Sequence, residues 1–139
     1  LWIVGDGSLR KSLETQVQQK NMQEQVLFLG FRTDARNLIQ LADAVVLSSD
    51  REGFPLVMVE ALQADKTMAS TKVNGVIEWL PTAYLADIGQ IDELQQAIEK
   101  ALSEQAKSDY FPLFSRAKNE LTVEAMTQQT LSIYEHLLQ

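Results

Sequence analysis

A chain of 139 residues, 45% of them hydrophobic, has enough apolar material for one domain with a real core and too little length for two ordinary ones. Nineteen acidic residues against twelve basic ones give a formal charge of -7, which argues against a general nucleic-acid-binding surface, because such surfaces need net or clustered positive charge. Cysteine is absent, which excludes disulfides and thiolate metal sites, and no apolar run approaches the roughly 20 residues that cross a bilayer. One cytoplasmic domain over 1–139 is predicted. The chain opens on Leu1-Trp2-Ile3-Val4, already inside a strand, so an excerpt of a longer protein, truncated on its N-terminal side, is expected.

Residues 1–4 form a continuous apolar run ended by Gly5-Asp6-Gly7, the pattern of a buried parallel strand stopping at a tight turn. Ser8 is the predicted N-cap of an amphipathic helix reaching about residue 20, on which Leu9, Leu13 and Val17 recur at a spacing of four. A strand over 26–29 closes at Gly30, a helix follows over 34–41, and a third strand over 44–47 leads into the loop Ser48-Ser49-Asp50-Arg51. A helix is predicted over 55–63, a strand over 67–70, a helix over 75–80 and a short last strand over 84–86. Ile91, Leu94, Ile98 and Leu102 mark one face of a helix over 91–103. The tail carries a short helix over 111–121 and a longer one over 123–137, with Val123, Met126, Ile133 and Leu137 at helical spacing. Strands separated by helices imply a Rossmann-like α/β domain of three layers, with helices on both faces of an open, mostly parallel sheet and a helical C-terminal tail. Right-handed crossovers allow about five strands in the order 2-1-3-4-5. The switch point then lies between the strand ending at Gly5 and the strand ending at Ser48, where open α/β sheets bind ligands.

The stretch Glu52-Gly53-Phe54-Pro55-Leu56-Val57-Met58-Val59-Glu60 carries most of the chemistry. Proline suits the first helical position, and the first-turn N–H groups of Leu56, Val57 and Met58 then offer an anion site. Glu52 stands before that site and Glu60 about a turn and a half inside the helix, so the pair can contact different parts of one ligand. A carboxylate accepts hydrogen bonds from two vicinal hydroxyls at once, which suits ribose or hexose, and a sugar nucleotide fits the layout. The plain alternative is a pair of surface carboxylates flanking a core helix. Gly5 and Gly7 are either ordinary turn chemistry after a strand or, at the switch point, a backbone contact for a ligand with Asp6 turned away from any phosphate. Gly30-Phe31 is either a structural turn or a contact for a base. Arg10, Lys11, Arg32, Arg51 and Lys72 are the cations near strand ends that would offset a diphosphate, each with a solvated surface role as its alternative. With one histidine, His136 in the last helix, and no cysteine, no metal site is predicted.

These residues also match a family. Leu1-Trp2-Ile3-Val4-Gly5-Asp6-Gly7, Val26-Leu27-Phe28-Leu29-Gly30-Phe31, Ala42-Asp43-Ala44-Val45-Val46-Leu47-Ser48-Ser49 and the Glu52 to Ala61 stretch resemble the C-terminal, donor-binding domain of the family 4 (group 1) retaining glycosyltransferases, half of the two-domain GT-B fold. The resemblance extends at least to Glu78. It implies that Glu52 contacts the donor sugar, Glu60 the ribose and the backbone of Gly53, Phe54, Pro55, Leu56 and Val57 the diphosphate, with Gly30-Phe31 beside the base. It also implies an NDP-sugar as substrate, no cofactor, and a separate N-terminal domain that binds the acceptor.

The departures are specific. The family domain opens with one more strand and helix, carrying an arginine and a lysine that clamp the donor phosphates, and this chain starts after them. The family's Ala-Met-Ala-Cys-Gly-x-Pro-Val-Val after the second glutamate is replaced by Ala61-Leu62-Gln63-Ala64-Asp65-Lys66-Thr67-Met68-Ala69, and a later Gly-Gly by Asn74-Gly75. An unpaired central strand edge would invite dimerisation. The expected function is hexose transfer, with retention, from a nucleotide diphosphate sugar to a hydroxyl in glycan or surface-polysaccharide synthesis. The isolated fragment is expected to be inactive, and peripheral membrane association is expected of the full-length protein only. The alternative is a non-catalytic nucleotide-binding or interaction domain of the same fold. A phosphoreceiver reading, with Asp50 and Thr71 after the third and fourth strands, fails because Asp6 stands alone and no lysine follows the last strand.

Overall fold

The computed structural model describes residues 1–138. In chain order the elements are β1 (Trp2–Val4), α1 (Arg10–Gln19), β2 (Leu27–Gly30), α2 (Ala35–Leu41), β3 (Ala44–Leu47), α3 (Leu56–Gln63), β4 (Thr67–Thr71), a 3-10 turn (Thr82–Tyr84), β5 (Leu85–Ala86), α4 (Ile91–Ala101), α5 (Glu104–Glu120) and α6 (Val123–Leu137). All the strand pairs are parallel, as strands joined by helical crossovers must be. The α/β class and the five strands agree with the sequence reading. The single sheet does not: the strands form a β1-β2 pair and a separate β3-β4-β5 sheet. Three of the four neighbour pairs in the order 2-1-3-4-5 are present, and the fourth, β1 on β3, is not made among the described residues. The predicted switch point is therefore not defined by a continuous ladder.

The chain packs as two compact units, Leu1–Leu38 and the remainder from Ile39. In the first, β1 and β2 pair as Trp2 with Leu27, Ile3 with Phe28 and Val4 with Gly30, with a register shift between Ile3 and Val4. Val26 is its one buried hydrophobic residue, and α1 buries none. Ser8 does not cap α1; Leu9 occupies the N-cap and the turn is closed by the Arg10 amide donating to the Gly7 carbonyl at 3.1 Å.

The second unit holds the core. β4 is buried along its whole length between β3 and β5, and α3, α4 and α5 all pack on it. Tyr110 of α5 donates its hydroxyl to the Met68 carbonyl of β4, which fixes that helix against the sheet, and its ring meets Tyr84 edge-on at 4.9 Å. Desolvation raises the hydroxyl pKa of both tyrosines, and both stay neutral donors across the ordinary pH range.

Two helix expectations need correction. Residues 75–80 form successive turns: Val76 and Leu80 donate to Val73 and Val76, but Gly75 has a φ of +79° and Pro81 biases the preceding residue away from helix. The tail helix begins at Glu104 instead of 111 and runs through Pro112. Ala106, Tyr110, Phe114 and Ala117 make a continuous buried stripe along it. Pro112 lies on the exposed face, where the carbonyl it leaves without a donor is on the solvent side.

The turn after α3, altered from the family pattern, is nevertheless closed. Lys66 donates to the Ala61 carbonyl at 2.9 Å and Asp65 to Leu62 at 3.2 Å, the paired bonds of a Schellman termination. Asp65 takes the left-handed position with φ +56°, where the family has glycine, and both its carboxylate oxygens accept from Lys118 Nζ at 2.6 and 2.7 Å. Thr67, standing where the family has proline, donates its hydroxyl to the last carbonyl of α4, Ala101, at 2.8 Å.

Candidate functional site

The loop from β3 to α3 is fixed from several sides within the second unit. The Ser49 hydroxyl donates to Glu52 Oε1 at 2.7 Å. The Ser49 carbonyl in turn accepts from Thr71 Oγ1 at 2.5 Å, and Thr71, at the end of β4, is 5% exposed. Gly75 lies directly against the same loop: a Cβ there would stand 2.9 Å from Phe54 Cδ2, 3.0 Å from Phe54 Cα and 3.1 Å from the Gly53 carbonyl oxygen. Its positive φ and this close approach both demand glycine. Gly53 itself has open space around it, as a backbone offered to a ligand would need.

Pro55 is the N-cap of α3 and not its first helical residue, because its ψ of 114° is extended. Its carbonyl accepts from Met58 at 3.1 Å, so the third amide of the predicted anion site is already used. The amides of Leu56 and Val57 have no hydrogen-bond partner among the described residues and are the donors this helix start presents. Leu56 is 71% exposed beside them and Phe54 47%. Glu60 lies one turn into α3, half-buried.

In the first unit the two glycine loops are tied together, since the Gly5 amide donates to the Gly30 carbonyl at 2.8 Å. The Gly7 amide donates to Asp6 Oδ1 at 2.8 Å, and Asp6 Oδ2 lies 3.6 Å from Arg10. Both glycine amides are thus engaged. What Gly5 and Gly7 present outward is bare Cα surface, with nothing within 4 Å of either absent Cβ. Phe31 is 79% exposed.

Most of the predicted cations are spoken for. Arg10 is held by Glu14 at 2.8 Å, Lys72 by Asp87 at 2.6 Å, and Arg32 by Asp34 through two bonds of 2.7 and 2.6 Å. Their shared hydrogen bonds hold the Asp34 carboxyl below its ordinary range and the Arg32 guanidinium above its own. Lys11 and Arg51 have no ion-pair partner among the described residues, and Arg51 immediately precedes Glu52. Among the described residues no three His, Cys, Asp or Glu side chains come together as a metal site would require. No helix among them is long and apolar enough to cross a membrane. Sequence reasoning did not assign a role at the site to Ser49, Thr71 or Gly75; the Asn74-Gly75 turn and a hydroxyl three residues before a carboxylate were the available signals.

Parallel strand–helix units with a glycine-bordered strand end and a carboxylate-flanked helix start give the chain the architecture of a domain of the GT-B glycosyltransferase fold. Residues 1–116 match the family described as glycosyl transferases group 1, and the chain belongs to that family. It is 27% identical over 139 residues to N-acetyl-alpha-D-glucosaminyl L-malate synthase of Bacillus anthracis, covering 97% of this chain and 36% of that protein. It is 31% identical over 100 residues to the UDP-Gal:alpha-D-GlcNAc-diphosphoundecaprenol alpha-1,3-galactosyltransferase of Escherichia coli, covering 69% and 26%. The crystal structure of Anabaena HepE in complex with UDP-glucose superposes with a TM-score of 0.76 at 28% identity, over 94% of this chain and 40% of that one. The chain thus spans well under half the length of each of these proteins.

Proposed function

We propose that the chain is the donor-binding part of a retaining glycosyltransferase that moves a hexose from a nucleotide diphosphate sugar to a hydroxyl acceptor in glycan or surface-polysaccharide synthesis. The observation that carries this reading is the α3 start, where Glu52 and Glu60 flank the two unpaired amides of Leu56 and Val57. Glu52 meets the sugar and Glu60 the ribose hydroxyls, while the two amides, at the positive end of the helix dipole, receive the diphosphate. Rate enhancement comes from orienting the donor and stabilising the charge that builds on the leaving diphosphate, with no metal assigned. The UDP-glucose complex of HepE and the UDP-Gal named for the Escherichia coli relative support a uridine nucleotide sugar as donor. An N-terminal domain supplies the acceptor site, and any peripheral membrane contact belongs to the full-length protein.

Titration of the chain with UDP, GDP and UDP-glucose tests the assignment. Glu60→Ala is expected to weaken UDP binding by about tenfold, the loss of one charge-assisted hydrogen-bonded contact. UDP binding equal to that of the unaltered chain removes the ribose assignment. The 139 residues alone are expected to release no labelled glucose from UDP-glucose, and turnover would refute the need for the acceptor domain. The engagement of Arg10, Arg32 and Lys72 by their own carboxylates favours a second reading, a nucleotide-binding domain without transfer activity. Under that reading a chain extended to the full length of its relatives binds UDP but turns nothing over.

A further inference from the structure

We propose that Ser49 is a positioning residue for Glu52, anchored to the core of the second unit through Thr71. The inference rests on the reading of Glu52 as the sugar contact. An ionised carboxylate and a backbone carbonyl only accept, so the direction of both hydrogen bonds is fixed: Thr71 Oγ1 donates to the Ser49 carbonyl, and Ser49 Oγ donates to Glu52 Oε1. Thr71 Oγ1 also lies 3.5 Å from the Leu47 carbonyl, and the Ser49 carbonyl at 2.5 Å is the closer of its two acceptors. The relay starts on a buried strand, since Thr71 ends β4, all five residues of which are buried, and it finishes on a half-buried carboxylate in a loop.

Ser49 sits in the loop between β3 and α3, where no helical backbone fixes the direction of the Glu52 side chain. A glutamate carries several rotatable bonds, and losing their freedom opposes ligand binding unless it has already been lost in the free protein. The Ser49 hydroxyl binds one carboxylate oxygen with a short, charge-assisted bond and leaves Oε2 to accept from a sugar hydroxyl. The sugar thus meets a carboxylate already aimed, while a nucleotide without a sugar gains nothing from it. That asymmetry separates positioning from a general part in folding the loop.

The test compares Ser49→Ala and Ser49→Thr with the unaltered chain by two readouts. The first needs no ligand: side-chain scalar couplings of Glu52, measured by NMR on selectively labelled protein, are expected to report one rotamer in the unaltered chain and in Ser49→Thr, and averaged rotamers in Ser49→Ala. The second is the ratio of UDP-glucose to UDP affinity, expected to fall about tenfold in Ser49→Ala, as the loss of one hydrogen bond to a charged group implies, and to recover in Ser49→Thr. A single Glu52 rotamer retained in Ser49→Ala overturns the proposal, as does an equal loss of UDP and UDP-glucose. If the unaltered chain prefers neither ligand, the donor-site reading fails, and the rotamer comparison still decides whether Ser49 positions Glu52.

Discussion

In the first unit the loops at 5–7 and 30–31 hang on a two-stranded ladder with one buried hydrophobic side chain, Val26. The loop carrying Glu52 is instead set on a strand buried from Thr67 to Thr71 and wedged against Gly75. The first arrangement fixes backbone to backbone: Gly5 to Gly30, and Gly7 to the side chain of Asp6. The second fixes the Glu52 side chain through a relay that begins in a core. Loops with little burial behind them open at low cost in free energy, whereas a loop tied to a core opens only with the core. The Glu52 loop is therefore expected to keep its conformation under conditions where the loops of the first unit already open.

The largest expected effect breaks the better-packed side of this comparison. Leu62 of α3 is fully buried, and Leu62→Ala removes its contacts and leaves a cavity, at a cost of about 2–5 kcal/mol. Val26→Ala in the first unit removes less, roughly 1.6 kcal/mol at about 0.8 kcal/mol for each buried carbon lost. The two tryptophans allow separate reading, since Trp2 lies in the first unit and Trp79 in the second. With Trp2→Phe as the background, urea unfolding followed by Trp79 fluorescence is expected to move strongly to lower denaturant in Leu62→Ala. Hydrogen exchange in the unaltered chain is expected to be faster at residues 27–30 than at residues 67–71. Equal protection at the two strands would erase the distinction between the units.

A smaller effect is expected at Gly75, and here the comparison is between two glycines of one site. Gly75→Ala must hold a positive φ and push Phe54 and the Gly53 carbonyl aside, and two of the three obstructing atoms are backbone. The expected cost is about 1–3 kcal/mol, with UDP-glucose binding lost because the Glu52 loop shifts. Gly53→Ala meets open space at a φ outside the strained region, and its stability is expected to stay within about 0.5 kcal/mol of the unaltered chain. Thermal unfolding of both variants, with titration of UDP-glucose, ranks them. Similar losses in both would show that the contact under Phe54 does not set the loop.

How far these features could be read from the sequence follows the range of the interactions involved. Apolar runs stopped by glycine, as at Val4-Gly5 and Leu29-Gly30, gave the strands, and the period of Ile91, Leu94 and Ile98 gave α4, because local pattern suffices there. The Glu52 to Glu60 motif was legible for the same reason. What failed depended on distant partners. Pro112 reads as a helix start until the buried stripe from Ala106 to Ala117 places it on the exposed face. Val76, Trp79 and Leu80 have helical spacing, but Gly75 is held at positive φ by the loop it packs under, more than 20 residues earlier in the chain. Thr71 gave no local sign that its hydroxyl reaches the carbonyl of Ser49.

The smallest effect concerns the turn that leaves α3, where Asp65 replaces the family's glycine. An Asp at φ +56° bears a left-handed penalty of about 1 kcal/mol, which glycine would not. Glycine would lose roughly 0.5–1 kcal/mol through the greater freedom of the unfolded chain, and the half-exposed Lys118 pair contributes about 0–1 kcal/mol more. These terms nearly cancel, so Asp65→Gly is expected to change stability by less than about 1 kcal/mol. Asp65→Ala retains the penalty and loses the ion pair, and is expected to fall below the unaltered chain by up to about 1 kcal/mol and below Asp65→Gly by up to about 0.5 kcal/mol. Salt sharpens the comparison: raising ionic strength screens the pair in the unaltered chain and leaves Asp65→Gly nearly unmoved. Thermal unfolding of the three chains at low and high salt gives the ranking. An Asp65→Ala variant more stable than Asp65→Gly would mean that the left-handed conformation costs less here than the freedom glycine gives the unfolded chain, and that the Lys118 contact alone accounts for the aspartate.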